Sequence, residues 1–183
     1  MSLTKTPICD FGKKAETFEL KSVDGNIVSL DSIKGENGTL VMFICNHCPY
    51  VKAVIDDIIK DCNTLRSIGV SSVAICSNDV INYPDDDPIK MKALALEKKF
   101  PFYYLYDETQ EVAKSYDAAC TPDFSVFNDG LKCVYRGQMD DSRPGNEEPS
   151  NGKDLREVLD YILSDKKIDF EQKPSLGCNI KWK

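Results

Sequence analysis

Leu40-Val41-Met42-Phe43-Ile44-Cys45-Asn46-His47-Cys48-Pro49-Tyr50-Val51-Lys52 is the stretch whose reading decides the fold. The run from Leu40 to Ile44 is apolar without alternation, the pattern of a strand covered on both faces of a parallel sheet. After Pro49 the period changes. Val51, Val54, Ile55, Ile58, Ile59, Cys62 and Leu65 fall on one stripe of a helix that ends near Gly69. Two cysteines spaced Cys-x-x-Cys therefore stand where a buried strand turns into a helix. The first turn of a helix presents unpaired N–H groups and about half a positive charge, and both favour a thiolate. The expectation is a depressed pKa at Cys45, the attacking thiol, with Cys48 one turn on as the resolving thiol. A pair of packed cysteines, or half of a zinc site, is the alternative.

Working outward, Glu16–Leu20 and Ile27–Leu30 flank Asp24-Gly25, a hairpin signal, and Asp31–Gly38 is rich in turn residues. Val70–Cys76 reads as a second buried strand. Ser77–Asp87 reads as a polar loop with three successive aspartates, and Asp87-Pro88 as the cap and first residue of a helix to about Lys99. Phe102–Tyr106 is a third strand, and Thr109–Tyr116 a short helix capped by Thr109. Asp123–Phe127 and Leu131–Arg136 pair across the turn Asn128-Asp129-Gly130, and Lys153–Leu163 is the last helix. Alternating β and α units predict an α/β protein, a central mixed sheet flanked by helices, with an N-terminal hairpin. Residues 1–163 form the expected domain, and 164–183 a C-terminal extension whose apolar end, Ile180 and Trp182, is able to dock on it.

Composition narrows the function. With 183 residues and 42% hydrophobic content the chain can build a sizeable core, and its net charge of -7 argues against a nucleic-acid partner. No stretch has the length of a membrane span, and Met1–Asp10 has no apolar leader, so a cytoplasmic protein is expected. Eight cysteines in a chain this long predict thiols in a reducing compartment rather than a disulfide framework. The lone histidine, His47, excludes a His-rich metal centre. Cys45, Cys48, His47 and Cys178 are nonetheless soft ligands that would suit Cu(I) or zinc. No metal set is assigned, and nothing points to an organic cofactor.

Four separated motifs carry a family resemblance: Cys-Asn-His-Cys-Pro-Tyr-Val-Lys at 45–52, Cys-Thr-Pro-Asp-Phe at 120–124, Asp-Asp-Ser-Arg-Pro at 140–144, and Ser-Leu-Gly-Cys-Asn-Ile-Lys-Trp at 175–182. With them the chain, over Phe18–Leu163, resembles the thioredoxin superfamily. It looks most like the branch of alkyl hydroperoxide reductases and thiol-specific antioxidant proteins. The resemblance implies a thioredoxin-like fold and an oxidoreductase of antioxidant type. Cys45 matches the nucleophile, Cys48 its resolving partner, and Pro122 a cis-proline facing the pair, with the Thr121 backbone open to a substrate's extended chain. It also implies partners: a disulfide-bearing protein, a small thiol or disulfide, or a hydroperoxide, with a cellular dithiol as reductant. Two departures stand out. Thioredoxin itself carries an acid six positions before the first cysteine, where this chain has Thr39. The peroxidase branch uses Pro-x-x-x-Thr-x-x-Cys, where this chain has Gly38 and Met42.

Three accessory residues follow. As an imidazolium, His47 would stabilise a Cys45 thiolate, or it simply faces solvent. Cys120 is a candidate third thiol or a packed one. Cys178 could resolve an oxidised Cys45 or Cys120, or only pack. Cys9, Cys62, Cys76 and Cys133 read as thiols without a role. Asp140, Asp141 and Arg143 read as a solvated charged loop.

Overall fold

The computed structural model describes residues 2–7, 10–164, 166 and 168–183. Cys9 lies outside them. Among the described residues the strands form two sheets. The larger has seven strands in the order β3-β2-β6-β5-β4-β8-β9. These are β2 (Glu19–Ser22), β3 (Ile27–Ser29), β4 (Gly38–Phe43), β5 (Val70–Cys76), β6 (Tyr103–Tyr106), β8 (Asp123–Phe127) and β9 (Cys133–Gly137). β4, β5 and β6 run parallel, while β2, β3, β8 and β9 join antiparallel at the two sides. This is the mixed sheet the sequence predicts, with the N-terminal hairpin as its β2–β3 edge.

The absence of alternation in β4 has a direct cause. Leu40, Met42 and Ile44 enter one core cluster, shared with α2 (Pro49–Ser67) and α5 (Lys153–Leu163). Val41 and Phe43 enter a second cluster on the opposite face, with Leu30 of α1 (Leu30–Ile33) and Ala113 of α4 (Glu111–Ser115). A strand covered on both faces has no polar positions to spare. The α2 stripe is buried at Val51, Val54, Ile55, Ile58, Cys62 and Leu65, each such side chain contributing about 2 kcal/mol of gross transfer free energy. Asp87 caps α3 (Pro88–Lys98) by accepting from the Ile89 N–H at 2.8 Å, as expected. α4 is capped differently: Gln110, in the left-handed region, is the cap residue, and Thr109 Oγ1 accepts from the Glu111 N–H.

The second sheet was not legible in the sequence. β1 (Leu3–Lys5), β10 (Leu176–Asn179) and β7 (Cys120–Thr121) pair antiparallel in the order β1-β10-β7. The tail is therefore a strand between two partners. Beyond β10 it stays anchored: Ile180 N–H donates to the Ala119 carbonyl, and Lys181 N–H to Asn78 Oδ1 at 2.8 Å. The loop at Asp140 also differs from expectation. Asp140 is buried and accepts from the N–H groups of Ser142, Asn151 and Gly152. Burial raises its pKa, but these hydrogen bonds outweigh it and hold the carboxyl below its usual value. The loop is pinned by this carboxylate rather than left to solvent.

Candidate active site

Pro49 is the first helical residue of α2, which makes Cys48 the N-cap. Cys45 lies three residues earlier, just beyond the end of β4. Both are thiols, and both are buried. Opposite them, the Thr121–Pro122 peptide bond is cis. Thr121 touches both sulfurs: its Oγ1 is 3.5 Å from Cys45 Sγ, and its carbonyl oxygen is 3.2 Å from Cys48 Sγ. The structure thus brings Cys45, Cys48, Thr121 and Pro122 together from two separate segments.

The electrostatics are not those expected from the sequence. The Cys48 pKa is lowered to about 5, chiefly because the Cys45 thiol hydrogen-bonds to it, with help from the Val51 N–H and the Cys178 thiol. Cys45 is pushed well above the ordinary thiol value by the same bond, by burial and by the Asp86 charge. So the pair gives up one proton easily and holds the other. The lowered value falls on Cys48 chiefly because the Cys45 thiol faces it, and its place at the head of α2 adds only a little. The depressed pKa predicted for Cys45 is found one turn on.

His47 is neither fully exposed nor directly bound to the thiol. Its side chain is 14% exposed, and Nδ1 lies 2.6 Å from Asp86 Oδ2 and 3.8 Å from Cys45 Sγ. Its ring stacks on Tyr83. Nε2 is buried without a hydrogen-bond partner. Cys120 packs: it is fully buried, its thiol points to the Pro122 carbonyl at 3.8 Å, and burial raises its pKa. Cys178 comes to the site by a route the sequence did not reveal. It pairs with Thr121 across β10 and β7, and its thiol hydrogen-bonds to Cys48.

One residue was missed. Asp86, in the 3-10 turn Pro84–Asp86, is completely buried beneath the Cys-x-x-Cys loop. Its Oδ1 accepts from the backbone N–H groups of Asn46 and His47 at 2.8 and 3.2 Å. Its Oδ2 accepts from Asn78 Nδ2 at 2.8 Å and meets His47. Tyr104 completes the support by donating to Asn46 Oδ1. A buried carboxylate is retained only when its lone pairs are filled, and here they are. The three aspartates divide the work by position: Asp85 pairs at the surface with Lys90, Asp86 turns inward, and Asp87 caps α3. The only sequence signal was a surplus, three acids before a helix that needs one cap.

The donor atoms of Cys45, His47 and Asp86 lie within 4.8 Å of one another, the described group that could hold a metal ion. Both Asp86 oxygens are already filled by N–H donors, so the carboxylate would have to surrender these bonds to bind a cation.

The thiol pair has a measurable signature. For the reduced protein, the thiolate absorbance near 240 nm is expected to titrate with a midpoint of about 5, against the ordinary thiol value of 9.0, and the step is expected to vanish in Cys48→Ser. The folded pKa lies below the unfolded one, so this group's contribution to stability is complete above the unfolded value. It declines as the pH falls from 9.0 toward about 5, where it is lost. Thermal melts under a phosphine reductant should show that loss in wild type and not in Cys48→Ser.

Comparison with known proteins agrees with this geometry. The family model described as "AhpC/TSA family" matches residues 11–137. An uncharacterized conserved protein from Geobacillus kaustophilus is 52% identical over 100% of this chain and 97% of its own, with a TM-score of 0.98. A hypothetical protein from Sinorhizobium meliloti 1021 is 38% identical over 98% of each chain, with a TM-score of 0.96. At 17% identity, a thiol:disulfide interchange protein of the thioredoxin family from Chlorobium tepidum TLS matches over 85% of this chain and 99% of its own. Its TM-score of 0.64 shows a shared thioredoxin-like fold. No curated protein matches the chain in sequence. The mixed sheet, the helix-capping Cys48 and the matched family model together identify the chain as a member of the AhpC/TSA family.

Proposed function

We propose that the protein is a thiol–disulfide oxidoreductase whose redox pair is Cys45 and Cys48. The observation that carries this reading is the meeting of both sulfurs with Thr121, beside its cis bond to Pro122, at the head of α2. Cys45 attacks one sulfur of a substrate disulfide, and its proton passes to Cys48. A mixed disulfide forms on Cys45, and the other substrate sulfur leaves with the electron pair. Cys48 then attacks Cys45 Sγ, the second substrate sulfur leaves, and the Cys48 proton goes to it. The products are the Cys45–Cys48 disulfide and the reduced substrate. A cellular dithiol resets the pair by the reverse exchange. Thr121 and Pro122 flank the attack, and a reducing compartment such as the cytoplasm suits the thiol-rich chain.

The test is catalytic reduction of insulin disulfides with dithiothreitol as donor. The rate is expected to rise in proportion to protein concentration, and a rate equal to dithiothreitol alone defeats the reading. Hydrogen peroxide in stopped flow separates this activity from a peroxidase. Gly38 and Met42 stand where the peroxidase pattern carries Pro and Thr, so oxidation no faster than that of an ordinary thiol is expected. A rate orders of magnitude higher would make the pair a peroxide-reducing one. The filled Asp86 oxygens count against a metal held by Cys45, His47 and Asp86.

A further inference from the structure

The sulfur cluster has three members. Cys178 lies on β10, opposite Thr121 of β7 in antiparallel register, and is 3% exposed. Thr121, its register partner, also meets Cys48 Sγ at its carbonyl oxygen, 3.2 Å away, and Cys45 Sγ at its hydroxyl. All three cysteines lie in one core cluster around this residue, two from the loop and one from the tail. The approach is tight. A Cβ on Gly177, the residue before Cys178, would run into the Thr121 carbonyl oxygen, so glycine alone lets β10 lie this close. The strand is also held on its far side, with Leu3 of β1 opposite Cys178. No opening of the tail is needed to bring the third sulfur to the second.

We propose that Cys178 is a third redox cysteine, which takes the disulfide from Cys45–Cys48 by attacking Cys48 and so clasps the C-terminal strand over the site. The step rests on the reading of Cys45 and Cys48 as a redox pair. The Cys178 sulfur attacks Cys48 Sγ, the Cys48–Cys178 bond forms, and the Cys45–Cys48 bond breaks. The electron pair leaves on Cys45 Sγ, which takes up the proton that Cys178 gave up. Oxidation state is conserved, and the oxidant is the Cys45–Cys48 disulfide itself. In the reduced protein Cys178 is held up to about 12 by burial and by the adjacent Cys48 thiolate, with Lys181 pulling the other way. Once Cys48 is in a disulfide that neighbouring charge is gone, so the attack becomes easier at the stage where it is needed. The outcome is a freed Cys45 beside a tail covalently fixed along the Thr121 edge, which β10 already covers in the reduced protein in place of the substrate chain expected there.

The test compares two variants of the full chain, Cys45→Ser and Cys45→Ser/Cys178→Ser, each oxidised by diamide, quenched by alkylation and mapped by non-reducing peptide mass spectrometry. In Cys45→Ser a Cys48–Cys178 cross-link is expected within the monomer, with Cys48 lost to alkylation at least tenfold faster than in the double variant, at a rate independent of protein concentration. Equal rates in the two variants, or a cross-link from Cys48 to another cysteine or another chain, overturn the proposal. Wild type mapped alongside keeps the two ideas apart. A Cys45–Cys48 cross-link there, with equal rates in the variants, leaves the redox pair standing and removes only the third cysteine. If wild type forms neither a Cys45–Cys48 nor a Cys48–Cys178 bond, the redox-pair reading fails on its own.

Discussion

Cys45→Ser is expected to lower insulin-disulfide reduction at least 1000-fold, and Cys48→Ser to leave a protein that reacts once and stops as a mixed disulfide on Cys45. The two outcomes differ because the two sulfurs have different jobs. A serine at 45 cannot attack a disulfide, since an alcohol has neither the nucleophilicity nor the acidity of a thiol. A serine at 48 spares the attacking sulfur but removes the one that resolves it. It also removes the largest cause of the raised Cys45 value, so alkylation of Cys45 should begin at lower pH in Cys48→Ser than in wild type. Intact-mass spectrometry of Cys48→Ser with glutathione disulfide reads the mixed disulfide directly. The same adduct on Cys48 in Cys45→Ser, formed at an equal rate, would reverse the roles. That reversal is a real alternative outcome, because the charge of the pair rests on Cys48.

The second large effect is expected at Asp86. Asp86→Ala leaves two loop N–H groups, Asn78 and the His47 ring facing an empty space, in a site with no solvent exposure. An orphaned buried donor costs about 1–3 kcal/mol, so a loss of roughly 4 kcal/mol in unfolding free energy is expected. Asp86→Asn keeps one oxygen for the two backbone donors but sets an amide N–H against that of Asn78. It should cost less, about 2 kcal/mol. Asp86→Asn also removes a charge that holds the Cys45 proton, so alkylation of Cys45 should begin at lower pH than in wild type. Denaturant titration and the pH profile of Cys45 alkylation measure the two effects separately. An unchanged denaturation midpoint in Asp86→Ala would mean that the loop does not depend on this carboxylate.

Asp86 also shows where reading the sequence stops. Ser77–Asp87 is polar and carries Pro84, so locally it reads as a loop on the surface. Its inward turn depends on a contact 40 residues away in sequence, with the backbone of Asn46. Thr39 makes the same point from the other side. The acid missing at that position signals that the site handles charge differently, but not that a carboxylate arrives from another loop. His47 had two readings, and the structure keeps part of each: half-buried, held by Asp86, and not in tight contact with the thiol.

The strands and helices were legible because their periods are local. Leu40–Ile44 is apolar throughout because both faces of β4 are covered, and the stripe from Val51 to Leu65 matches the buried face of α2. The Cys-x-x-Cys spacing fixed two thiols at a strand-to-helix junction, and Pro49 fixed the helix start. The direction of each thiol's pKa was not legible, because it depends on how the two buried sulfurs face each other. Nor was the three-stranded sheet. Two of its strands are three and two residues long, too short for any period to register, and the first pairs with β10 across more than 170 positions of chain. The sequence by itself determined the sheet, its helices and the placing of the Cys-x-x-Cys pair, since these follow from patterns within single segments. Only the tertiary structure decided that Asp86 lies under the loop, that Cys48 holds the charge and that Cys178 meets Cys48, because each depends on the distance between segments that the chain itself holds far apart.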